Sequence, residues 1–365
     1  MHTGTSPNAP FAEMEPAGAI RFPAEWEPQE GVLLCFPHNG KDWPGKYGAI
    51  QWALVDFIKK VAEVEIVFLL VRDRNFQASV QEKLERADVR TDRVRFIIGK
   101  TNRSWMRDSG PIGIYRNGQR AFLKFAFNAW AKYTNYHLDR HVAGTVAAWF
   151  GKQPLEAVYR GKPVVMEGGA LESNGKGTLI TSEECLLHPS VQVRNPGFTR
   201  EDYEAVFREF LGITRVIWVN KGIVGDDTHG HIDDLCRFVS ADTIVTVVEE
   251  NPEDENYPIL LENLELLKKS RLQDGSHPTI VTLPMPRPIV YEGLRLPASY
   301  ANFLILNQRV LVPTFNDVND ARALSVLAAC FPDREVIGIH ALDLIWGFGT
   351  LHCLSQQVPA ASSPA

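Results

Sequence analysis

Apolar positions along the chain alternate between two periods. Four stretches read as a strand, a short turn and a second strand: PIGIYRNGQRAFLKF after the polar cluster WMRDSG, GALESNGKGTLITS after MEG, LCRFVSADTIVTVV after GHIDD, and NFLILNQRVLVPTF after LPASY. Runs of β-branched and aromatic residues on either side of NG, SNGKG, ADT and NQ predict hairpins. Between them the apolar spacing lengthens to three and four in YGAIQWALVDFIKKVAEV, HLDRHVAGTVAAWFG, TREDYEAVFREFLG and DARALSVLAACF, which predicts helices. EIVFLLV, VRFIIG, TRVIWVN and REVIGIH add short strands. The sum is about five units, each a hairpin, a helix and one further strand, and such repetition predicts an α/β ring. Every polar cluster falls just ahead of its hairpin. In a ring, Asp108, Glu167, His231, Asp233 and the residues near Cys353 therefore converge on the axis. The competing arrangement is a set of unrelated loops on an ordinary α/β sheet.

Composition narrows the picture. With 365 residues, 45% of them hydrophobic and 22% charged, the chain has the profile of a folded protein within reach of one large repeat-built domain. We expect a mobile tail over residues 1–19 and a single catalytic domain over 20–365. A formal net charge of -6 argues against a nucleic-acid or anionic-membrane surface and suits a small cationic substrate. Five cysteines, odd in number and without a CxxC, suggest neither a disulfide framework nor a structural zinc site, and fit a reducing cytoplasm. The opening residues lack the basic start and apolar core of a signal peptide, and no apolar run approaches the ~18 residues of a membrane span. Homo-oligomers are common among soluble proteins, and the sequence leaves one open here.

Candidate chemistry sits in the polar clusters. GDDTHGHIDD, Gly225 to Asp234, is dense enough in donors to be a metal site, with His229 and His231 on one face of a strand. Against this, His231 and Asp233 would point one way, and Ile232 and Asp234 the other. Asp226 and Asp234 read as turn-capping acids; His231 and Asp233 read as functional. In WMRDSGP, Trp105 beside Asp108 is the pairing that receives a guanidinium or ammonium on an alkyl stem. Glu167 precedes two glycines that bring backbone close to another group. In GFGTLHCLSQQ, Gly347 and Gly349 permit close approach to a ligand, and Cys353 is the candidate nucleophile. The other four cysteines lie in apolar runs. His352, next to Cys353 on a strand, would face away from it, so the base must come from elsewhere.

These motifs resemble the agmatine deiminases and their bacterial peptidylarginine deiminase relatives in the guanidine-modifying superfamily. The resemblance runs from FPAEWEPQEGVLLCFP near residue 22 through WMRDSGP, EGGALE, GHIDD and PASYANFLILN to LHCLSQQVP. It implies a five-fold pseudosymmetric α/β propeller of ββαβ units, pentein-like, with the site on the axis. By motif, it implies Cys353 as nucleophile, His231 as general acid and base, Asp108 and Asp233 as the guanidinium grip, and Glu167 as the residue orienting the imidazole. It assigns nothing to His229, and leaves Asp227 and Asn302 open. The chain departs from the family at the pocket rim, reading GFGT where many agmatine deiminases read GGG.

The implied reaction is hydrolysis of agmatine to N-carbamoylputrescine and ammonia through a covalent thiouronium, a step in putrescine and polyamine biosynthesis. Two carboxylates match the paired donors of a planar, permanently charged guanidinium. His231 in its cationic form and the bound cation should lower the thiol pKa. The substrate's own charge supplies the electrophile, so neither cofactor nor metal is expected. The same chemistry on arginine or peptidylarginine would use rim cations such as Arg120, Arg140 and Arg160. A reading of another class is a metal-dependent hydrolase built on the DDTHGHIDD cluster.

Overall fold

The structure, a computed structural model, describes residues 19–364, so the expected tail lies outside the described residues except for its last position. Five sheets repeat one pattern, an antiparallel pair followed by a parallel third strand. Ile112–Arg116 pairs with Gln119–Lys124, which runs parallel to Leu155–Glu156. The same order recurs in Glu172–Ser173, Thr178–Ser182 and Arg215–Val219, and in Cys236–Phe238, Thr243–Val248 and Thr279–Pro284. It recurs again in Leu304–Ile305, Arg309–Thr314 and Glu335–His340. The remaining sheet joins the two ends of the described chain: Ser355–Pro359 is antiparallel to Gln29–Cys35, which is parallel to Ile66–Val71. Val94–Ile98 extends that sheet by one strand.

A parallel third strand requires a long crossover, and each sheet has a helix there. These are Tyr47–Ala62, Val142–Trp149, Arg200–Leu211, Asn256–Lys269 and Asp320–Cys330. The predicted ββαβ unit thus occurs five times, in a pentein-like α/β propeller. Local chemistry sets the boundaries. Thr199 and Asp202 form a capping box on Arg200–Leu211, and Gly212 at φ 69° ends that helix. Asn117 and Gly118, both at positive φ, close the hairpin in the tight turn that their residue types favour.

One crossover helix, Asn256–Lys269, was not among those predicted. Its inward face carries Asn263 between the buried Leu260 and Leu267, while Leu261 and Leu266 are exposed, so the apolar period is blurred. Asn263 is there for its bonds: it accepts from Asn220 N at 2.9 Å and donates to Lys221 O at 2.8 Å, fixing the chain that leaves the strand Arg215–Val219.

Apolar cores fill the space between sheets and helices; Ile50, Leu54, Phe57, Ile58 and Val61 of the first helix are all buried against them. The axis is different. Just ahead of the first strand of four sheets stands a single helical turn, at Met106–Ser109, Gly168–Ala170, Ile232–Asp234 and Leu351–Leu354. In the fifth sheet residues 299–302 take that place. The turn at Met106–Ser109 packs against those at Gly168–Ala170 and Leu351–Leu354, and Gly168–Ala170 packs against Ile232–Asp234. Buried polar side chains therefore meet at the centre of the ring. No described helix is long and apolar enough to cross a membrane.

Candidate active site

Asp108 rides on the Met106–Ser109 turn, where Trp130 Nε1 donates to its Oδ2 at 3.1 Å. Its Oδ1 is buried, has no hydrogen-bond partner within the protein, and lies 3.9 Å from His231 Nδ1. Glu167 stands at the entrance to the next turn, fully buried, with Arg194 Nε 3.2 and 3.3 Å from its two oxygens. Arg194 is itself pinned by the carbonyls of Gln192 and Thr228. Oε2 of Glu167 is 3.6 Å from His231 Nε2, an ion-pair distance longer than a hydrogen bond. The glycines of EGG now have a reason: a Cβ on Gly169 would stand 2.3 Å from Nδ1 of His231, so the imidazole lies directly on that glycine. Asp226 caps the loop as predicted, accepting from the backbone N–H groups of Thr228, Gly230 and His231.

Cys353 belongs to the Leu351–Leu354 turn. Asn302 holds it, donating through Nδ2 to Sγ at 3.1 Å and to Asp234 Oδ1 at 3.0 Å. Asn302 Oδ1 meanwhile accepts from Thr350 Oγ1 and His352 N. The thiol donates to Asp233 Oδ2 across 3.7 Å, and Oδ1 of Asp233 is buried with no partner in the protein. Two expectations are corrected here. Asp234 is no turn-capping acid but a buried one that accepts from Asn302 beside Cys353. His352 lies on a helical turn rather than a strand, and its ring is engaged, with Nδ1 2.7 Å from Asp233 Oδ2 and Nε2 2.8 Å from Glu25 Oε2.

A cavity of about 280 Å³ opens onto Asp108 and Cys353. Trp105, tilted over Trp43 at 5.3 Å, and Trp130 form its walls. Gly349 lies so close that a Cβ there would come within 2.9 Å of Trp105 and 3.2 Å of Sγ. Phe348, in the GFGT departure, also lines the cavity and sits at φ 67°, a backbone conformation that costs a non-glycine residue roughly 1–2 kcal/mol. Exposure rises toward Asn39, Lys41, Asp42 and Asp227, which mark the mouth. Asp227 accepts from Tyr133 Oη at 2.8 Å and pairs with Lys132. Asp42 Oδ2 is buried without a partner in the protein.

None of the three arginines named as candidate rim cations for an arginine or peptidylarginine substrate lines the cavity. Arg120 pairs with Glu30, Arg160 with Asp202, and Arg140 meets His141. The cations at the cavity are Lys41 and Arg103, and Arg103 is bound by Asn135 and stacked over Tyr133. The donors of GDDTHGHIDD disperse. Asp226 serves the loop backbone, Asp227 the mouth, and His229 faces Glu184 at 3.7 Å, while His231, Asp233 and Asp234 turn inward.

Electrostatics separate the inner groups. Burial works against a charge on His231, but the carboxylates of Asp108, Glu167 and Asp233 outweigh it and push it up to about 9. Burial raises Asp108 to about 7 against the pull of His231, with repulsion from Glu167 and Asp233 added. Glu167, also opposed by burial, is held below its usual range by Arg194 and His231. The Cys353 thiol is driven well above its ordinary value by burial and then by Asp233, Asp234 and Asp108, with Asn302 pulling the other way. Without a bound cation, then, the acids prevail over any help from His231, and the thiol keeps its proton.

Residues 21–359 match the family described as Porphyromonas-type peptidyl-arginine deiminase. The chain is 32% identical to the agmatine deiminase of Pseudomonas syringae pv. tomato, over 94% of this chain and 96% of that one. It is similar to the solved structure of a C. jejuni agmatine deiminase with substrate bound, a cysteine-to-serine variant, at 32% identity and TM-score 0.85, covering 98% of this chain and 100% of that one. The agmatine deiminase of Enterococcus faecalis superposes with TM-score 0.85 at 26% identity, over 94% and 96% of the two chains. With a match spanning nearly all of the five-unit ring and the cluster on its axis, the chain belongs to the Porphyromonas-type peptidyl-arginine deiminase family.

Proposed function

We propose that the protein is an agmatine deiminase, hydrolysing agmatine to N-carbamoylputrescine and ammonia through a covalent adduct on Cys353. One observation carries this reading: Oδ1 of Asp108 and Oδ1 of Asp233 are both buried and unpaired within the protein, close to Cys353 and His231. Buried acceptors without partners are costly, and a flat cation with several N–H donors satisfies both. The relatives named above are agmatine deiminases, which supports the substrate class.

On this reading the guanidinium enters between Trp105 and the two acids. Its charge offsets the burial and the carboxylates that keep the thiol protonated, so Cys353 releases its proton to solvent as substrate binds. The thiolate attacks the central carbon, forming the C–S bond. His231, cationic at neutral pH, gives a proton to the departing nitrogen, the C–N bond breaks, and ammonia leaves a thiouronium. Neutral His231 then takes a proton from water as its oxygen adds to carbon. The C–S bond breaks, thiolate is restored, and the adduct's hydroxyl loses its proton to solvent, where ammonia takes one up, to give the neutral ureido product.

At the mouth, Asp227, paired with Lys132, and Asp42, which burial raises to about 7, are the carboxyl groups that face the amine of agmatine. Lys41 and Arg103 favour a second reading, in which the distal group is the carboxylate of arginine. Mass spectrometry of the products from agmatine, free arginine and an arginine peptide separates the two. Ureido product from agmatine is the expected result, and turnover of the peptide alone overturns it. Inactivation by iodoacetamide, with activity surviving a chelator, is expected; the reverse pattern would favour the metal-dependent alternative. The five cysteines are all unpaired, which fits a reducing compartment such as the cytoplasm.

A further inference from the structure

The segment FPAEWEPQ contributes to the family resemblance but receives no task from it. In the fold it carries Glu25 to the axis, on the far side of His352 from Asp233. Oε2 of Glu25 lies 2.8 Å from His352 Nε2 and accepts from Arg237 Nη2 at 2.7 Å, while Oε1 accepts from Ile305 N at 2.7 Å. Three of the five units hydrogen-bond at this one carboxylate, and Arg107 Nη2 from a fourth lies 3.7 Å from Oε2. Arg237 is bound on its other side by Glu172 at 2.7 Å, and both partners are buried.

Both ring nitrogens of His352 therefore face a carboxylate oxygen at hydrogen-bond distance. Burial opposes a charge on either acid. Arg237 and His352 outweigh it for Glu25, and His352 and His231 outweigh it for Asp233, so both stay ionised. An ionised carboxylate only accepts, and a neutral imidazole has one N–H, so a neutral ring would leave one pair of lone pairs in opposition. His352 thus bridges the two acids, one at each ring nitrogen. Its bond to Asp233 occupies Oδ2, and the oxygen left without a partner in the protein is Oδ1.

We propose that Glu25 is a positioning residue of the catalytic centre: by holding Nε2 of His352 it fixes the imidazole that orients Asp233, turning Oδ1 of Asp233 toward the guanidinium beside Cys353. This role rests on the guanidine reading of the site. If Glu25 were only a counter-ion for Arg237, its loss would lower stability and leave the chemistry unchanged.

Glu25→Gln and His352→Asn separate the two roles. With its amide oxygen toward Ile305 N, the glutamine presents NH₂ instead of a carboxylate oxygen to His352 Nε2 and Arg237 Nη2, which removes the acceptor that holds the ring. The asparagine keeps a donor near the Nδ1 position but breaks the link to Glu25. For each variant and the double variant, kcat and KM with agmatine are measured separately. Cys353 is also titrated with chloroacetamidine, a flat cation that loses chloride as the C–S bond forms, and with neutral iodoacetamide.

E25Q is expected to lower kcat/KM roughly 10- to 100-fold, the scale on which losing a supporting group costs a functional ligand. It is expected to slow chloroacetamidine relative to iodoacetamide by a similar factor, and the double variant should be no worse than H352N alone. Wild-type kcat/KM and a wild-type ratio of alkylation rates in E25Q, or losses that multiply in the double variant, overturn the proposal. Should E25Q not fold, a wild-type alkylation ratio in H352N overturns it equally. If the unmutated protein does not turn over agmatine, the guanidine reading fails, while the alkylation ratio still judges Glu25.

Discussion

Gly169 and His231 are in direct contact: a Cβ on the glycine would lie 2.3 Å from Nδ1 of the imidazole, and 2.8 Å from its Cε1. The ring is also confined by Glu167 and Asp108, so it can leave the glycine only by leaving them. Gly169→Ala should therefore shift the imidazole by a substantial fraction of an ångström. A displacement of ~1 Å costs on the order of 100-fold in rate. The expected result in steady-state assays is a fall of about that size in kcat, with the circular dichroism spectrum unchanged. Wild-type kcat would contradict the placement of His231 at the reacting centre.

Cys353→Ser should abolish turnover and leave the fold intact, because the hydroxyl can still receive the bond from Asn302. Asp108→Asn keeps the shape and the Trp130 contact but removes the charge facing the substrate. The loss of one partner from a buried charge pair costs ~2–5 kcal/mol. A rise in Kd for agmatine of that magnitude, measured calorimetrically in the Cys353→Ser background, is expected; unchanged affinity would rule Asp108 out of the grip.

The pH dependence of kcat/KM reports groups of the free enzyme. Asp108, raised to about 7 by burial, must be ionised to receive a cation, so activity climbs as pH rises through about 7. His231, opposed by burial but pushed up to about 9 by its carboxylate neighbours, must be protonated to release ammonia, so activity declines as pH rises through about 9. A bell between those values is expected. A profile still rising beyond pH 10 would remove His231 as the acid.

Arg194 and Glu167 are both fully buried. Arg194→Met preserves volume but leaves Glu167 uncompensated, and breaking a buried pair this way costs about 3–5 kcal/mol. Urea unfolding should reveal a loss of that order together with a fall in activity, since Glu167 confines His231. A stable variant with full activity would show that the pair supports neither.

Much of this site was legible in the sequence because the repeat placed its polar clusters. Asp108, Glu167, His231, Asp233 and Cys353 each stand at or beside a turn ahead of a sheet's first strand, a relation visible in the order of apolar runs. What escaped were residues whose partners come from other units. Arg194 reveals itself only through Glu167, Asn302 only through Cys353 and Asp234, and Glu25 only through His352. Asp234 was misread because strand alternation was assumed where the chain turns helically, which brings neighbouring acids inward together. The mouth was left open for a simpler reason: arginines have no periodicity, and proximity to a cavity is not encoded by their spacing.

Cys353 precedes by two residues the strand Ser355–Pro359, which zips onto Gln29–Cys35 to complete the last blade. The pairing that closes the ring therefore also anchors the turn that carries Cys353, while the acids and the imidazole come from blades elsewhere in the chain. A change that loosens this last seam would be felt first at the sulfur.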